Sequence, residues 1–236
     1  MRIRSLSAVA LGLAWLGVAC SSQAKETPAV AASATVPASQ AASATTADPR
    51  PRIVILGDSV TAGLGLQPGQ AYPALLQQRV DEEGLQYKVV NAGVSGDTSA
   101  GGLARLDWAL DGDVRVLVVA LGGNDGLRGL PVEELRTNLA RIIERAQARH
   151  IKVMLAGMEA PPNYGRAYIV SFHQVYPALA RKYRVAFLPF LLEGVAGVTD
   201  LNQSDGIHPT ATGARMVADN VWAVLKPIAE ARGAHD

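Results

Sequence analysis

The sequence has little cysteine and little excess charge, and these two features restrict its disulfides and its binding partners. Cys20 is the single cysteine among 236 residues, so an intrachain disulfide is excluded. The formal net charge is +1 at pH 7, which gives no electrostatic footprint for nucleic acid. Cysteine and histidine nowhere cluster at the spacing of a metal site. We therefore expect no metal, no cofactor and no nucleic-acid partner.

Hydrophobic runs long enough to span a membrane are also missing. The longest apolar run lies at the N-terminus. Met1 to Arg4 is basic, and Leu6 to Ala19 is an apolar run of 14 residues. That run is too short to span a bilayer but has the length of a secretory signal. Residues 1–19 are therefore predicted to be a secretion signal. The protein is expected to be exported, either to the periplasm or to a membrane anchor that faces it.

Cys20 directly follows this apolar run, which leaves two interpretations. Leu16 to Cys20 resembles a lipoprotein processing site, whose cysteine becomes acylated and attaches the chain to a membrane, although Gly17 stands where leucine is usual. Gly17-Val18-Ala19 is equally an ordinary small-residue cleavage site. Cys20 is thus a candidate lipidation site.

Residues 20–51 are rich in alanine, serine, threonine and proline and contain no aromatic side chain. Such a composition cannot form a core, so we predict a linker there. The remaining residues, 52–236, have the length of one globular domain. They contain no internal repeat. The oligomeric state is left open by the sequence.

Apolar runs and helical periodicity alternate through this domain. Five runs are predicted to be parallel strands: Ile53 to Leu56, Tyr87 to Asn91, Val114 to Leu121, Ile151 to Gly157 and Val185 to Pro189. The predicted helices are Tyr72 to Glu83, Gly102 to Leu110, Val132 to Ala148, Arg166 to Tyr183 and Pro209 to Leu225. Strands that alternate with helices predict an α/β fold, a three-layer α/β/α sandwich around a five-stranded parallel sheet.

Polar, glycine-rich stretches follow the predicted strands. They are Gly57-Asp58-Ser59, residues 91–97, residues 122–126, residues 158–165 and residues 205–209. The carboxyl ends of parallel strands share one edge of the sheet, which is where open α/β folds bind their ligands. The sequence therefore predicts a functional site at this edge.

A serine becomes a nucleophile when a base removes its proton, and His208 is the candidate base for Ser59. Asp205 precedes His208 by three residues and can fix the tautomer and orientation of its ring. The other three histidines are predicted to be structural or solvated. Asp58 and Asp125 are read as groups that hold neighbouring backbone, with no direct part in chemistry.

Acyl transfer also needs hydrogen-bond donors for an oxyanion. The candidates are the backbone N–H groups of Ser59 and Gly93 and the side-chain amide of Asn124. The chain lacks the Gly-x-Ser-x-Gly elbow, which argues against an ordinary α/β-hydrolase.

These blocks resemble the SGNH (GDSL) hydrolase family. The match consists of Gly57-Asp58-Ser59, Gly93, Gly122 to Asp125 and Asp205-x-x-His208, in the family's order. The likeness is greatest to its branch of bacterial periplasmic thioesterase I/lysophospholipase L1 and arylesterase enzymes. The resemblance implies a flavodoxin-like strand order 2-1-3-4-5, a Ser-His-Asp triad, an acyl-enzyme intermediate and no metal.

The resemblance implies a serine esterase that hydrolyses aryl esters, lysophospholipids or acyl thioesters. A carbohydrate or cell-wall O-deacetylase with the same triad is the alternative, and a non-catalytic lipoprotein that binds ligands is a third interpretation. An acyl chain is expected to lie between the glycine-rich loop at 122–129 and a stiffer wall. Met158, Tyr164 and Tyr168 are the predicted substrate-binding residues on that wall.

Overall fold

The computed structural model describes residues 48–233, with nothing given for the side chains of the last two of these. The predicted signal, Cys20 and nearly all of the predicted linker lie outside the described residues.

Five parallel strands form the sheet of the described part: β1 (Arg52–Gly57), β2 (Lys88–Gly93), β3 (Val114–Ala120), β4 (Lys152–Ala156) and β5 (Ala186–Leu188). Their order across the sheet is β2-β1-β3-β4-β5. Both faces of a parallel sheet are covered by helices, so its strands read as continuous apolar runs, as they do here. The predicted fold class and strand order are confirmed.

Eight α-helices connect and flank these strands in the described residues. They are α1 (Ser59–Ala62), α2 (Tyr72–Glu82), α3 (Ser99–Ala104), α4 (Leu106–Ala109), α5 (Gly123–Leu127), α6 (Val132–Ala148), α7 (Arg166–Tyr183) and α8 (Ala211–Gly233). Short 3₁₀ turns span Pro68–Gln70, Pro162–Tyr164 and Thr199–Leu201.

The single helix predicted from Gly102 to Leu110 is wrong. Helix α3 begins earlier, where Thr98 accepts a hydrogen bond from the N–H of Gly101, and it ends at Ala104. At Arg105 the backbone leaves the helical geometry, and its guanidinium reaches the Asp97 carboxylate and the Gly57 carbonyl. The helical periodicity of the sequence gives no information about these tertiary contacts.

The core lies on both faces of the sheet. Its strand residues, such as Ile55, Leu117 and Leu155, are fully buried, and Leu139 of α6 and Val221 of α8 pack against them. The register sets Gly57 opposite Gly93 on β2 and opposite Ala120 on β3. The carboxyl ends of three neighbouring strands therefore finish at one level, and this alignment positions the site.

Candidate active site

Ser59 lies at a sharp turn from strand to helix. The strand β1 ends at Gly57, and a Cβ there would overlap the Thr61 hydroxyl, so only glycine lets α1 fold back this tightly. Asp58 caps α1, because its Oδ1 accepts a hydrogen bond from the N–H of Val60 at 3.0 Å. Ser59 is thereby fixed as the first residue of the helix, at the carboxyl edge of the sheet.

His208 and Asp205 lie in the turn that precedes α8. Asp205 Oδ1 accepts hydrogen bonds from the N–H groups of Ile207, at 2.9 Å, and His208, at 3.0 Å. Its Oδ2 lies 2.6 Å from His208 Nδ1. The two backbone hydrogen bonds, and then the contact with the His208 ring, lower the pKa of Asp205 to about 2. This carboxylate is therefore ionised wherever the protein is folded near neutral pH.

His208 Nε2 lies 2.8 Å from Ser59 Oγ, although the two residues are 149 positions apart. With its Nδ1 proton held by Asp205, the ring presents Nε2 as an acceptor for the serine hydroxyl proton. The structure thus brings Ser59, His208 and Asp205 into one continuous hydrogen-bonded chain.

Each of the predicted oxyanion donors stands at the end of a strand or just beyond it. Gly93 ends β2, and its N–H donates to Asn91 Oδ1 at 2.9 Å. Asn124 lies in α5, directly after β3, and its Nδ2 donates to the Asp97 carbonyl at 2.9 Å. The distance from Asn124 Nδ2 to Asp58 Oδ2 is 3.4 Å, a weak hydrogen bond. The Asp97 contact fixes the direction of the Asn124 amide, whose second proton is only loosely held. The single N–H of Gly93 is already donated to Asn91 Oδ1, so it reaches an oxyanion only by sharing or breaking that hydrogen bond.

The structure confirms that Asp58 and Asp125 hold backbone. Asp58 caps α1, and Asp125 accepts hydrogen bonds from the Ser99 N–H at 2.8 Å and the Ser99 hydroxyl at 2.6 Å. Both carboxylates are buried. Burial raises the pKa of Asp58 to about 6 against the opposing effect of the Val60 N–H. Asp58 consequently titrates in the same range as many histidines.

A cavity of about 420 Å³ opens beside Ser59 and His208. Most of its apolar lining comes from three segments beyond the carboxyl ends of β3, β4 and β5: Leu127, Met158, Ala160, Pro161, Pro162, Phe190, Leu192, Ala196 and Ile207. Asn124 also lines it, so the predicted oxyanion donor and the nucleophile face the same space. This size and this mainly apolar lining are typical of a small-molecule binding pocket.

Met158 lines this cavity, whereas Tyr164 and Tyr168 do not. The Tyr164 hydroxyl donates to the Leu127 carbonyl at 2.8 Å, and the Tyr168 hydroxyl donates to the Leu130 carbonyl at 2.9 Å. These hydrogen bonds point both rings at the backbone of the glycine-rich loop. The prediction that these two tyrosines contact substrate directly is corrected accordingly: they support the loop that forms one wall.

Two features of the cavity were missed from the sequence. Phe190 and Leu192 supply apolar wall from the segment after β5, and their signal was the apolar run that continues past the strand. Glu159 places a carboxylate on the wall and pairs with His173 Nδ1 at 2.6 Å. Sequence spacing gives no sign of this pair, because the two residues come from a loop and from the middle of α7.

Within residues 48–233, His, Cys, Asp and Glu side chains nowhere gather in threes as a metal ion would require. Over the same residues, a membrane-spanning helix of sufficient length and hydrophobicity is not found.

Comparison with known proteins places the chain among acyl hydrolases. Residues 55–216 match the family model described as "GDSL-like Lipase/Acylhydrolase family". "Esterase TesA" of Pseudomonas aeruginosa is 50% identical over 177 residues, which are 75% of this chain and 88% of that protein. "Thioesterase 1/protease 1/lysophospholipase L1" of Escherichia coli K12 is 40% identical over 177 residues, covering 75% of this chain and 84% of that protein.

The fold is similar to that of solved relatives. The crystal structure of TesA matches with a TM-score of 0.72 and 48% identity, and the match covers 75% of this chain and 99% of that one.

Proposed function

The chain belongs to the GDSL-like lipase/acylhydrolase family and is an ester hydrolase, and we propose that Ser59, His208 and Asp205 are its catalytic triad. One observation carries this assignment: the unbroken contact from Ser59 Oγ to His208 Nε2 at 2.8 Å and from His208 Nδ1 to Asp205 Oδ2 at 2.6 Å. In this role Ser59 is the nucleophile, His208 the general base and acid, and Asp205 the group that orients the imidazole.

The proposed reaction has two balanced halves. Ser59 Oγ bonds to the acyl carbon while its proton moves to His208 Nε2, and collapse of the tetrahedral intermediate breaks the ester bond. The leaving alkoxide or thiolate takes that proton from His208. Water then attacks the acyl-serine, gives one proton to His208 and bonds to the acyl carbon. The Ser59–acyl bond breaks, and the proton returns to Ser59 Oγ as the carboxylic acid leaves.

The negative oxygen of each intermediate is proposed to bind the N–H groups of Ser59 and Gly93 and the Asn124 amide. Strands β2, β1 and β3 are neighbours, so donors that follow their ends converge from three sides. The Asp97 contact fixes the Asn124 amide before charge develops, which is the condition for a large electrostatic contribution. The Gly93 N–H must first share or give up its hydrogen bond to Asn91 Oδ1.

The substrate class is proposed to be esters and thioesters of acyl chains longer than acetyl, including aryl esters and lysophospholipids. The cavity beside Ser59 has about 420 Å³ and a mainly apolar lining. Each buried CH₂ stabilises a bound chain by up to about 0.8 kcal/mol. An O-deacetylase would leave most of this apolar wall without a ligand, and a non-catalytic binding protein would not require the Ser59–His208–Asp205 alignment.

Hydrolysis of p-nitrophenyl esters from acetate to palmitate by the purified protein tests this proposal. The wild type is expected to increase in kcat/KM from acetate to medium chains, and Ser59→Ala to lose nearly all turnover while remaining folded. The exposed Ser95 provides a matched control, since Ser95→Ala should leave the rate unchanged. Activity that peaks at acetate and falls steadily would favour the deacetylase. A folded Ser59→Ala enzyme with substantial activity would refute the triad.

We further propose that the enzyme is exported and attached to a membrane through Cys20. This location is supported by the basic N-terminal residues, the apolar run before Cys20 and the linker composition of residues 20–51. Cys20→Ser should move the protein from the membrane fraction to the soluble fraction. Mass spectrometry that finds Cys20 unmodified, or removed, in the wild type would contradict lipidation but not export.

A further inference from the structure

Exposed hydrophobic side chains are concentrated at one edge of the described domain. Eight large hydrophobic side chains of the described residues are at least 39% exposed. Six of them lie in the segments that follow the carboxyl ends of the strands. We call these six the apolar ring: Leu64, Val94, Leu127, Tyr164, Val198 and Ile207. The other two, Trp108 and Val170, lie on helices α4 and α7. Concentration of this kind marks an interaction surface, whereas single scattered residues need no explanation.

Hydrogen bonds join the loops that carry the ring. Gln203 Nε2 donates to the Leu64 carbonyl at 2.7 Å and so ties the Leu64 loop to the segment between Val198 and Ile207. Arg128 donates to the Gly96 carbonyl at 2.8 Å, which ties the Leu127 loop to the loop of Val94. The Tyr164 hydroxyl donates to the Leu127 carbonyl. The ring is therefore held as two connected arcs rather than as loose side chains.

The ring is continuous with the cavity. Leu127 and Ile207 belong to both, and Val198 directly follows Gly197, which also lines the cavity. Apolar surface thus extends from the outer edge of the domain to Ser59. A hydrocarbon chain that passes from a lipid aggregate into the cavity stays in contact with apolar side chains throughout its transfer, so little of it is exposed to water.

Charges beside the ring have both signs. Arg128 and Arg166 are exposed on one side, and Asp200 is exposed near Val198. This mixture suits a zwitterionic surface, because a strongly anionic surface would be matched by a cluster of cations alone.

We propose that the apolar ring docks on the surface of a phospholipid or lysophospholipid aggregate and delivers acyl chains from it to Ser59. The proposal rests on the proposed ester hydrolysis at Ser59. It adds a lipid surface as the binding partner of this edge and makes aggregated lipid the preferred form of the substrate.

The test compares aggregated with dissolved substrate for the full-length enzyme. The double variant Val94→Gln/Val198→Gln removes two ring members that line neither of the cavities beside Ser59. Trp108→Gln is the matched control, because it removes an even more exposed apolar side chain elsewhere. Initial rates are measured on lysophosphatidylcholine, without detergent, from below to above its critical micelle concentration. Each variant is also measured on dissolved p-nitrophenyl butyrate.

We expect the wild type and Trp108→Gln to accelerate when micelles form. The rate of the double variant on micelles should be about tenfold lower than that of the wild type, because burial of apolar area sets the affinity for them. Its rate on p-nitrophenyl butyrate should stay within about twofold of the wild-type rate. A double variant that accelerates like the wild type overturns the docking proposal. Absence of activity on both substrates in the wild type refutes the proposed function instead. A wild-type dimer that the double variant converts to a monomer would assign the ring to self-association and overturn the lipid proposal.

Discussion

Asp205 and His208 are joined twice, once through the backbone and once through the side chain. Asp205 Oδ1 accepts the His208 N–H at 3.0 Å, and Asp205 Oδ2 lies 2.6 Å from ring Nδ1. The same carboxylate thus shapes the turn that carries the imidazole and holds the ring in one tautomer. The geometry of the base is therefore built within four consecutive residues.

Asp205→Asn should lower kcat by about 10⁴-fold, because an amide can preserve the turn through its oxygen but can donate to Nδ1 and favour the wrong tautomer. The measurement is kcat on p-nitrophenyl butyrate, with circular dichroism to check the fold. Asp200→Asn, in the preceding turn, should behave as the wild type. A loss of less than tenfold in Asp205→Asn would remove Asp205 from the triad.

The contribution of Asp58 to the stability of the protein should fall as pH rises from about 4 to about 6. Its pKa is raised from 3.8 to about 6 in the folded state, so between these values the folded chain binds a proton that the unfolded chain has released. The contribution is fully present below about pH 4 and is lost as pH rises through about 6. Two pKa units correspond to roughly 3 kcal/mol in the free energy of unfolding.

Asp58→Asn should flatten this part of the stability profile, since the amide keeps the cap on Val60 without titrating. The free energy of unfolding is measured by urea denaturation at several pH values. Asp111→Asn, at an exposed position, is the control and should retain the wild-type slope. If Asp58→Asn and the wild type lose stability in parallel across this window, Asp58 is not the titrating group.

Ser99→Ala should destabilise the fold by about 2 kcal/mol. The Ser99 hydroxyl donates to Asp125 at 2.6 Å and accepts from Asn138 Nδ2 at 3.1 Å, and Ser99 is fully buried. Its removal leaves a buried carboxylate with one donor fewer and leaves the Asn138 amide without this acceptor. Urea denaturation measures the change, and Ser95→Ala should change the free energy of unfolding by only a few tenths of a kcal/mol. Equal effects of the two substitutions would contradict this account.

Met158→Ala should flatten the increase of kcat/KM with acyl length more than it lowers acetate hydrolysis. Met158 is a buried wall of the cavity, so its truncation removes contacts that only a longer chain makes. Met216→Ala, away from the cavity, is the matched control. Tyr164→Phe should leave the slope of the profile largely intact, because the ring supports the 122–129 loop from outside. If Tyr164→Phe alone flattened the dependence of kcat/KM on acyl length, Tyr164 would be a substrate-binding residue after all.

The strands and the polar stretches that follow them can be predicted from the sequence, because each depends on a local pattern of residues. A buried parallel strand must be an apolar run, and the groups that follow it must meet at one edge. The orientations of Tyr164 and Tyr168 depend on carbonyls of Leu127 and Leu130, which are far from them along the chain. The break at Arg105 likewise depends on Asp97 and Gly57. Contacts of this kind are set by tertiary packing, which overrides local propensity.

Ser59 and His208 are 149 positions apart, so the active site cannot form from a local segment of the chain. Closing so large a loop costs conformational entropy that only the packed sheet repays, so nucleophile and base meet once β1 and the start of α8 are both in place. Activity therefore reports complete folding. If the chain is exported before it folds, it carries no esterase activity while it is in transit, and the esters of the compartment that makes it are spared.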